Sequence, residues 1–226
     1  MLQKLVLSDM FNRYRNLFFA LVSLSAGLVS FSATSGSSAT NVSKADKSSA
    51  GVFYNNSQLK GKLDFQLFED AFNAYKTTSG KAKPILTIID YSKPSTEKRF
   101  YVIDMKKGAL IYNTYVAHGV NSGQKTATKF SNVVDSKKTS LGTFLTDSTY
   151  YGSKGYSLRL DGLSSGKNDN ARKRYIVVHG ADYADEEFLQ KNGYLGRSWG
   201  CPALPQAQTR EIIDTIKGGS VIYASS

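Results

Sequence analysis

The chain has one cysteine and two histidines in 226 residues, and their types and spacing carry the clearest chemistry. Cys201 lies in Arg197-Ser198-Trp199-Gly200-Cys201-Pro202, while His118 and His179 each end an apolar run and are each followed by glycine. A thiol beside an imidazole is a route to acyl transfer: the ring takes the thiol proton and the thiolate attacks a carbonyl. Gly200 suits a tight turn that frees amide N–H groups near the sulfur to hold an oxyanion. The competing account is an inert cysteine in a Gly-Pro turn with two unrelated histidines, and spacing alone leaves both open. Two histidines and one cysteine at these spacings make a poor zinc site, so neither metal nor organic cofactor is expected.

The elements that must position these groups are mostly strands. Residues 84–90 (PILTIID), 99–105 (RFYVIDM) and 110–117 (LIYNTYVA) are rich in β-branched and aromatic residues, and Lys106-Lys107-Gly108 joins the last two as a hairpin. Weaker runs follow at 142–146 and 156–160, and a strong one at 175–179 (YIVVH) that delivers His179. Residues 121–139 form a polar loop long enough to be functional or disordered. Phe65, Phe68, Ala71, Phe72 and Tyr75 fall at helical spacing, with Asp64 as N-cap and Gly80 beyond the end. A second helix is expected over 205–217, followed by a closing strand at 220–224. The fold class expected is mainly β, a curved mixed sheet or sandwich with a few packed α-helices.

The N-terminus carries Lys4, Arg13 and Arg15 before an uncharged stretch over 17–31 and a run of small residues. That pattern predicts an export signal over 1–33, with an uncleaved anchor as the alternative and, in that case, the only membrane contact. Residues 34–51 read as a flexible linker, 52–83 as an N-terminal helical extension and 84–226 as the main domain. A lone cysteine in an exported chain forms no internal disulfide. The formal charge is +11, and +9 without residues 1–33, which hold three basic residues and one acidic one. So basic a chain attracts anionic polymers, and in the periplasm or cell envelope these are wall material. No basic run interleaved with aromatics points to nucleic acid.

Chain order narrows the chemistry further. No histidine follows Cys201, which excludes a papain-like order. A sortase-like transpeptidase would use an arginine after the cysteine, and Arg210 is available. However, Arg210 falls in an expected helix, and Ser-Trp-Gly precedes the cysteine where sortases carry a Thr-rich strand.

The blocks His179-Gly180, Gly196 and Ser198-x-Gly200-Cys201 resemble the H-G…G…S-x-G-C signature of the YkuD-like L,D-transpeptidases. Residues 139–144 (TSLGTF) are similar to that family's T-P-x-G-x-F/Y strand, and Asp214…Gly219-x-Val221-Ile222 to its closing helix and strand. Val116-Ala117-His118-Gly119 and Trp-Gly-Cys-Pro-Ala-Leu look like its divergent murein L,D-transpeptidase branch. The resemblance spans about residues 84–224.

It implies Cys201 as nucleophile, His179 as base, Gly200 and Cys201 as oxyanion amides and Ser198 as loop support. It implies attack on the stem-peptide bond before D-Ala in peptidoglycan, through a thioester. The acceptor is a second stem, an envelope lipoprotein lysine, or water. Two positions depart from the pattern: Ala203 stands where the family has arginine, and Trp199 where it often has histidine. Arg197, Arg159 and Arg174 are therefore candidates to meet a substrate carboxylate, with Trp199 beside them. His118 either lines the cleft, holds the base or is structural. The non-enzymatic alternative is an envelope-binding domain that keeps the fold without the activity.

Overall fold

The computed structural model describes residues 49–226. The export signal expected over 1–33 therefore lies outside the described residues, as does the expected linker except for 49–51. Those three residues begin α1 (Ser49–Asn56), a helix the sequence pattern did not reveal because Gly51, Asn55 and Asn56 are weak helix formers. α2 (Phe65–Thr77) begins as expected, with the Asp64 carboxylate accepting the Leu67 N–H at 3.0 Å.

Eight strands follow: β1 (Ile85–Asp90), β2 (Phe100–Asp104), β3 (Ala109–Thr114), β4 (Gly142–Gly152), β5 (Gly155–Gly162), β6 (Val177–Gly180), β7 (Ala203–Leu204) and β8 (Val221–Ser225). Two further helices are α3 (Glu186–Asn192) and α4 (Gln206–Ile216). α3 buries no residue and so leaves no apolar period to read. β4 runs well past the expected end at residue 146, because Thr149 to Gly152 continue the pairing with β5 beyond an irregularity. That extra length builds a long hairpin with Ser153-Lys154 at its tip.

The strands form one sheet in the order β3-β2-β1-β8-β4-β5-β6-β7. Only β1–β8 and β6–β7 are parallel, so the sheet is mixed. The central strands are buried on both faces, and period-two alternation sorts their side chains. Leu86, Ile88, Tyr101, Ile103 and Val221 meet Phe68 and Phe72 of α2 on one face. Ile89, Phe100, Val102 and Ile222 face the other core with Phe144, Leu158, Leu160 and the α4 isoleucines 212, 213 and 216. Each such aromatic or aliphatic side chain contributes about 1.5–3 kcal/mol on burial.

The sheet curls until its two edges nearly meet. Chain beyond β3 reaches β7 at the far edge, where the Ala117 N–H donates to the Ala203 carbonyl at 2.8 Å. The expected strand over 110–117 is thus divided: β3 stops at Thr114, and Ala117 pairs with the opposite edge. The mixed, curved, mainly β architecture expected from the sequence is the one observed, nearly closed into a barrel. No helix among the described residues is long and apolar enough to cross a membrane.

Candidate active site

β6 is a short buried strand held between β5 and β7, with Ser157 and Ala203 opposite His179. Cys201 stands two residues before Ala203. This register brings residues 22 positions apart to one cavity of about 680 Å³, which both side chains line. A smaller hollow of about 340 Å³ between Phe130, Leu141 and Tyr223 is lined by neither histidine nor cysteine.

His179 is only 2% exposed, and its Nδ1 lies 2.9 Å from the Gly180 carbonyl. A carbonyl only accepts, so Nδ1 carries the proton and Nε2 keeps its lone pair. Burial pulls this imidazole below the usual histidine range; the bond to Gly180 opposes the shift, and the Lys154 charge adds to it. The ring is neutral at pH 7.

Cys201 is partly buried. Desolvation pushes its thiol up, while a hydrogen bond from the Val177 backbone and the charges of Arg174 and Lys154 pull it back. Its S–H donates to the Tyr175 carbonyl at 3.6 Å. The resting pair is a neutral thiol and a neutral base, without a standing ion pair. The thiol and the imidazole open onto the same cavity, with the thiol donating to Tyr175 and not to the ring.

Ser198 fixes the loop that carries the sulfur. Its Oγ donates to the Cys201 carbonyl at 2.6 Å and accepts the Gly200 N–H at 3.1 Å. The Gly200 amide, expected to face an oxyanion, is therefore engaged by Ser198. No protein acceptor for the Cys201 N–H occurs among the described residues. Gly200 has φ +123°, a conformation that favours glycine, and a Cβ there would come 2.8 Å from the Lys138 carbonyl.

Three non-glycine residues among those described have left-handed backbone: Asp135 (φ 59°), Lys137 (φ 53°) and Tyr175 (φ 53°). All three line the cavity. Such conformations cost on the order of 1–3 kcal/mol each and persist where surrounding contacts over-determine them. Here the polar loop 121–139 is an ordered wall, and its main clamp is Arg174. That guanidinium donates to the carbonyls of Ser131 at 2.7 Å and Lys138 at 2.6 Å, and to the hydroxyls of Ser136 and Ser140.

The remaining expected site residues divide clearly. His118 is fully buried and does not line the cavity; Arg99 donates to its Nδ1 at 2.8 Å. Burial and the Arg99 charge push its imidazole down to about 4. Arg197 and Trp199 line the cavity, with Trp199 74% exposed and Lys137 stacked 4.6 Å over its ring. Arg159 lies outside it, 4.1 Å over the ring of Tyr150, which does line it. Arg210, on α4, donates to Tyr151 and is also absent from the lining.

Lys154, Tyr183, Tyr150, Tyr175 and Lys137 were not anticipated as site residues: they sit on a hairpin tip, a short 3₁₀ turn, the unexpected extension of β4, the turn before β6 and an irregular loop, none of which carries a motif. Burial pushes the Tyr183 hydroxyl up to about 12, with the neighbouring Cys201 contributing. No group of three His, Cys, Asp or Glu among the described residues is placed to hold a metal.

The chain is 16% identical to an L,D-transpeptidase from Mycobacterium smegmatis, covering 63% of this chain and 59% of that one at a TM-score of 0.39. It is also 16% identical to an L,D-transpeptidase from Mycobacterium tuberculosis, covering 63% and 58% at a TM-score of 0.37. The helical cell shape determining protein Pgp2 of Campylobacter jejuni is 12% identical, with 65% and 48% covered at a TM-score of 0.43. The chain thus spans less than two thirds of the length of each of these structures. No functionally curated protein matches. The family model for the L,D-transpeptidase catalytic domain matches residues 59–225, a span that includes α2 and all eight strands, and the chain belongs to that family.

Proposed function

We propose that this chain is an exported enzyme of the cell envelope that performs cysteine-dependent acyl transfer on peptidoglycan stem peptides. The observation that carries the reading is the shared cavity of Cys201 and His179, with His179 Nδ1 tied to Gly180 so that Nε2 is free to accept.

The neutral pair sets the order of events. Nε2 of His179 takes the thiol proton as Sγ of Cys201 attacks the carbonyl joining the third stem residue to D-Ala. The Cys201 N–H faces the developing oxyanion, a contribution worth roughly 3 kcal/mol for such donors. When the C–N bond breaks, the imidazolium proton passes to the departing amine, so D-Ala leaves and a thioester remains. An acceptor amine, or water, then attacks the thioester, gives its proton to His179 and restores the thiol. A second stem gives a 3–3 cross-link, a lipoprotein lysine an anchored protein, and water a carboxypeptidase. This chemistry requires no cofactor.

Purified muropeptide tetramers incubated with the protein test this reading by mass. Loss of D-Ala, with a cross-linked or trimmed product, is the expected result. Incubation with a carbapenem should add one adduct at Cys201. A folded protein that forms neither product nor adduct would sink the enzyme reading and leave an envelope-binding domain.

A further inference from the structure

The cavity is lined by four cationic side chains and one carboxylate, Asp135. A concave wall with such an excess of one sign focuses its field on an incoming anion. Three of the cations are already engaged. Arg174 clamps the 131–140 loop through its carbonyls, Lys137 stacks on Trp199 at 4.6 Å, and Arg197 lies 5.9 Å over the ring of Tyr194.

Lys154 has no hydrogen bond, ion pair or ring contact among the described residues. It occupies the second position of the two-residue turn joining β4 to β5, bounded by the Gly152–Gly155 pair. From that tip it lines the same cavity as Cys201 and His179, and its charge acts on both. An ammonium with no partner among the described residues thus shares one cavity with the proposed nucleophile and base, and a substrate anion next to the attacked bond would enter that cavity.

The reaction proposed above supplies such an anion. The D-Ala carboxylate is separated from the attacked carbonyl carbon by only the amide nitrogen and Cα. We propose, resting on that reading, that Lys154 binds the free carboxylate of the leaving D-amino acid and so selects donors whose scissile bond is the last peptide bond. The step leaves Lys154 chemically unchanged: the C–N bond breaks, the amine takes its proton from His179, and the carboxylate departs as an anion.

Two synthetic stem tetrapeptides test this, one ending in free D-Ala and the other in D-alaninamide. Wild type is expected to favour the free carboxylate by roughly tenfold in kcat/KM, the scale of one partly exposed charge-assisted contact. In Lys154→Met that ratio should fall to within about threefold of one, and Lys154→Arg should restore it. Effects of Lys154 on the thiol or the imidazole act on both donors and cancel in the ratio. A ratio unchanged in Lys154→Met, or absent from wild type, would overturn the assignment while leaving acyl transfer intact. Wild type that releases neither D-Ala nor its amide would instead overturn the proposed function, and this inference with it.

Discussion

Arg99 donates from Nη2 to Nδ1 of His118 at 2.8 Å, and both side chains are fully buried. The same guanidinium donates to the carbonyls of Val116 and Lys93, and it forms no ion pair among the described residues. Burial pulls Arg99 down to about 10. Since the guanidinium has no lone pair to offer, Nδ1 must accept, and Nε2–H points to the Gly123 carbonyl at 3.3 Å. The His118 carbonyl in turn accepts the Ser198 N–H at 2.9 Å, which ties this buried pair to the loop that carries Cys201.

This pair sets an acid sensitivity. A histidine near 6.5 when unfolded and about 4 when folded binds a proton in the unfolded chain that the native chain refuses. Stability therefore rises with pH across that window and is lost as pH falls from about 6.5 towards 4, by up to about 1.4 kcal/mol per unit. His179, also pulled down, has the same sign. Urea denaturation between pH 4 and 7 should show the slope, and His118→Gln should reduce it. An unchanged slope in that variant would mean that His118 is not the titrating group.

The role proposed for His179 predicts a one-sided profile. Acylation of Cys201 should rise with pH through a midpoint below 6.5, where the buried imidazole loses its proton, and then level off near neutrality. His179→Ala should slow acylation by about 10²–10⁴-fold, read by stopped-flow with a carbapenem. If His118→Ala removed acylation in a folded protein while His179→Ala did not, the base would be misassigned.

Ser198→Ala removes the hydroxyl that bridges Gly200 and Cys201. A loss of about 1–3 kcal/mol in stability is expected from the buried partners left unpaired, with acylation slowed at least tenfold. Thermal denaturation and adduct formation measure the two separately. Normal acylation in this variant would show that the bridge is dispensable.

Gly119 and Gly200 pack backbone to backbone. A Cβ at residue 119 would lie 2.6 Å from the Lys137 carbonyl and 3.1 Å from the Gly200 Cα. Gly119→Ala should cost about 1–3 kcal/mol by overpacking and slow acylation through displacement of the loop. Asp64→Ala is the contrasting case: loss of the α2 cap costs about 1 kcal/mol and leaves the rate of adduct formation as in wild type. Calorimetry beside acylation kinetics separates the two variants.

The sequence by itself determined much of the scaffold. The β-branched and aromatic runs of β1 and β2, the spacing of Phe68 and Phe72, and the capping carboxylate of Asp64 are local properties, and they appear in the fold where the pattern put them. The lone Cys201 and the glycine before it were equally legible. Spacing alone left open the choice between two histidines, since each follows an apolar run and precedes glycine, and within the sequence only the family resemblance pointed to His179. The tertiary structure turns His118 inward to Arg99 and sets His179 across from Ala203, on the cavity that Cys201 also lines. The length of the β4–β5 hairpin brought its tip to the cavity and put Lys154 in the same lining as Cys201, a place that no motif records. Contacts across a nearly closed sheet depend on strand order and register, which are settled by the packing of distant segments and leave no trace in the spacing of neighbouring residues.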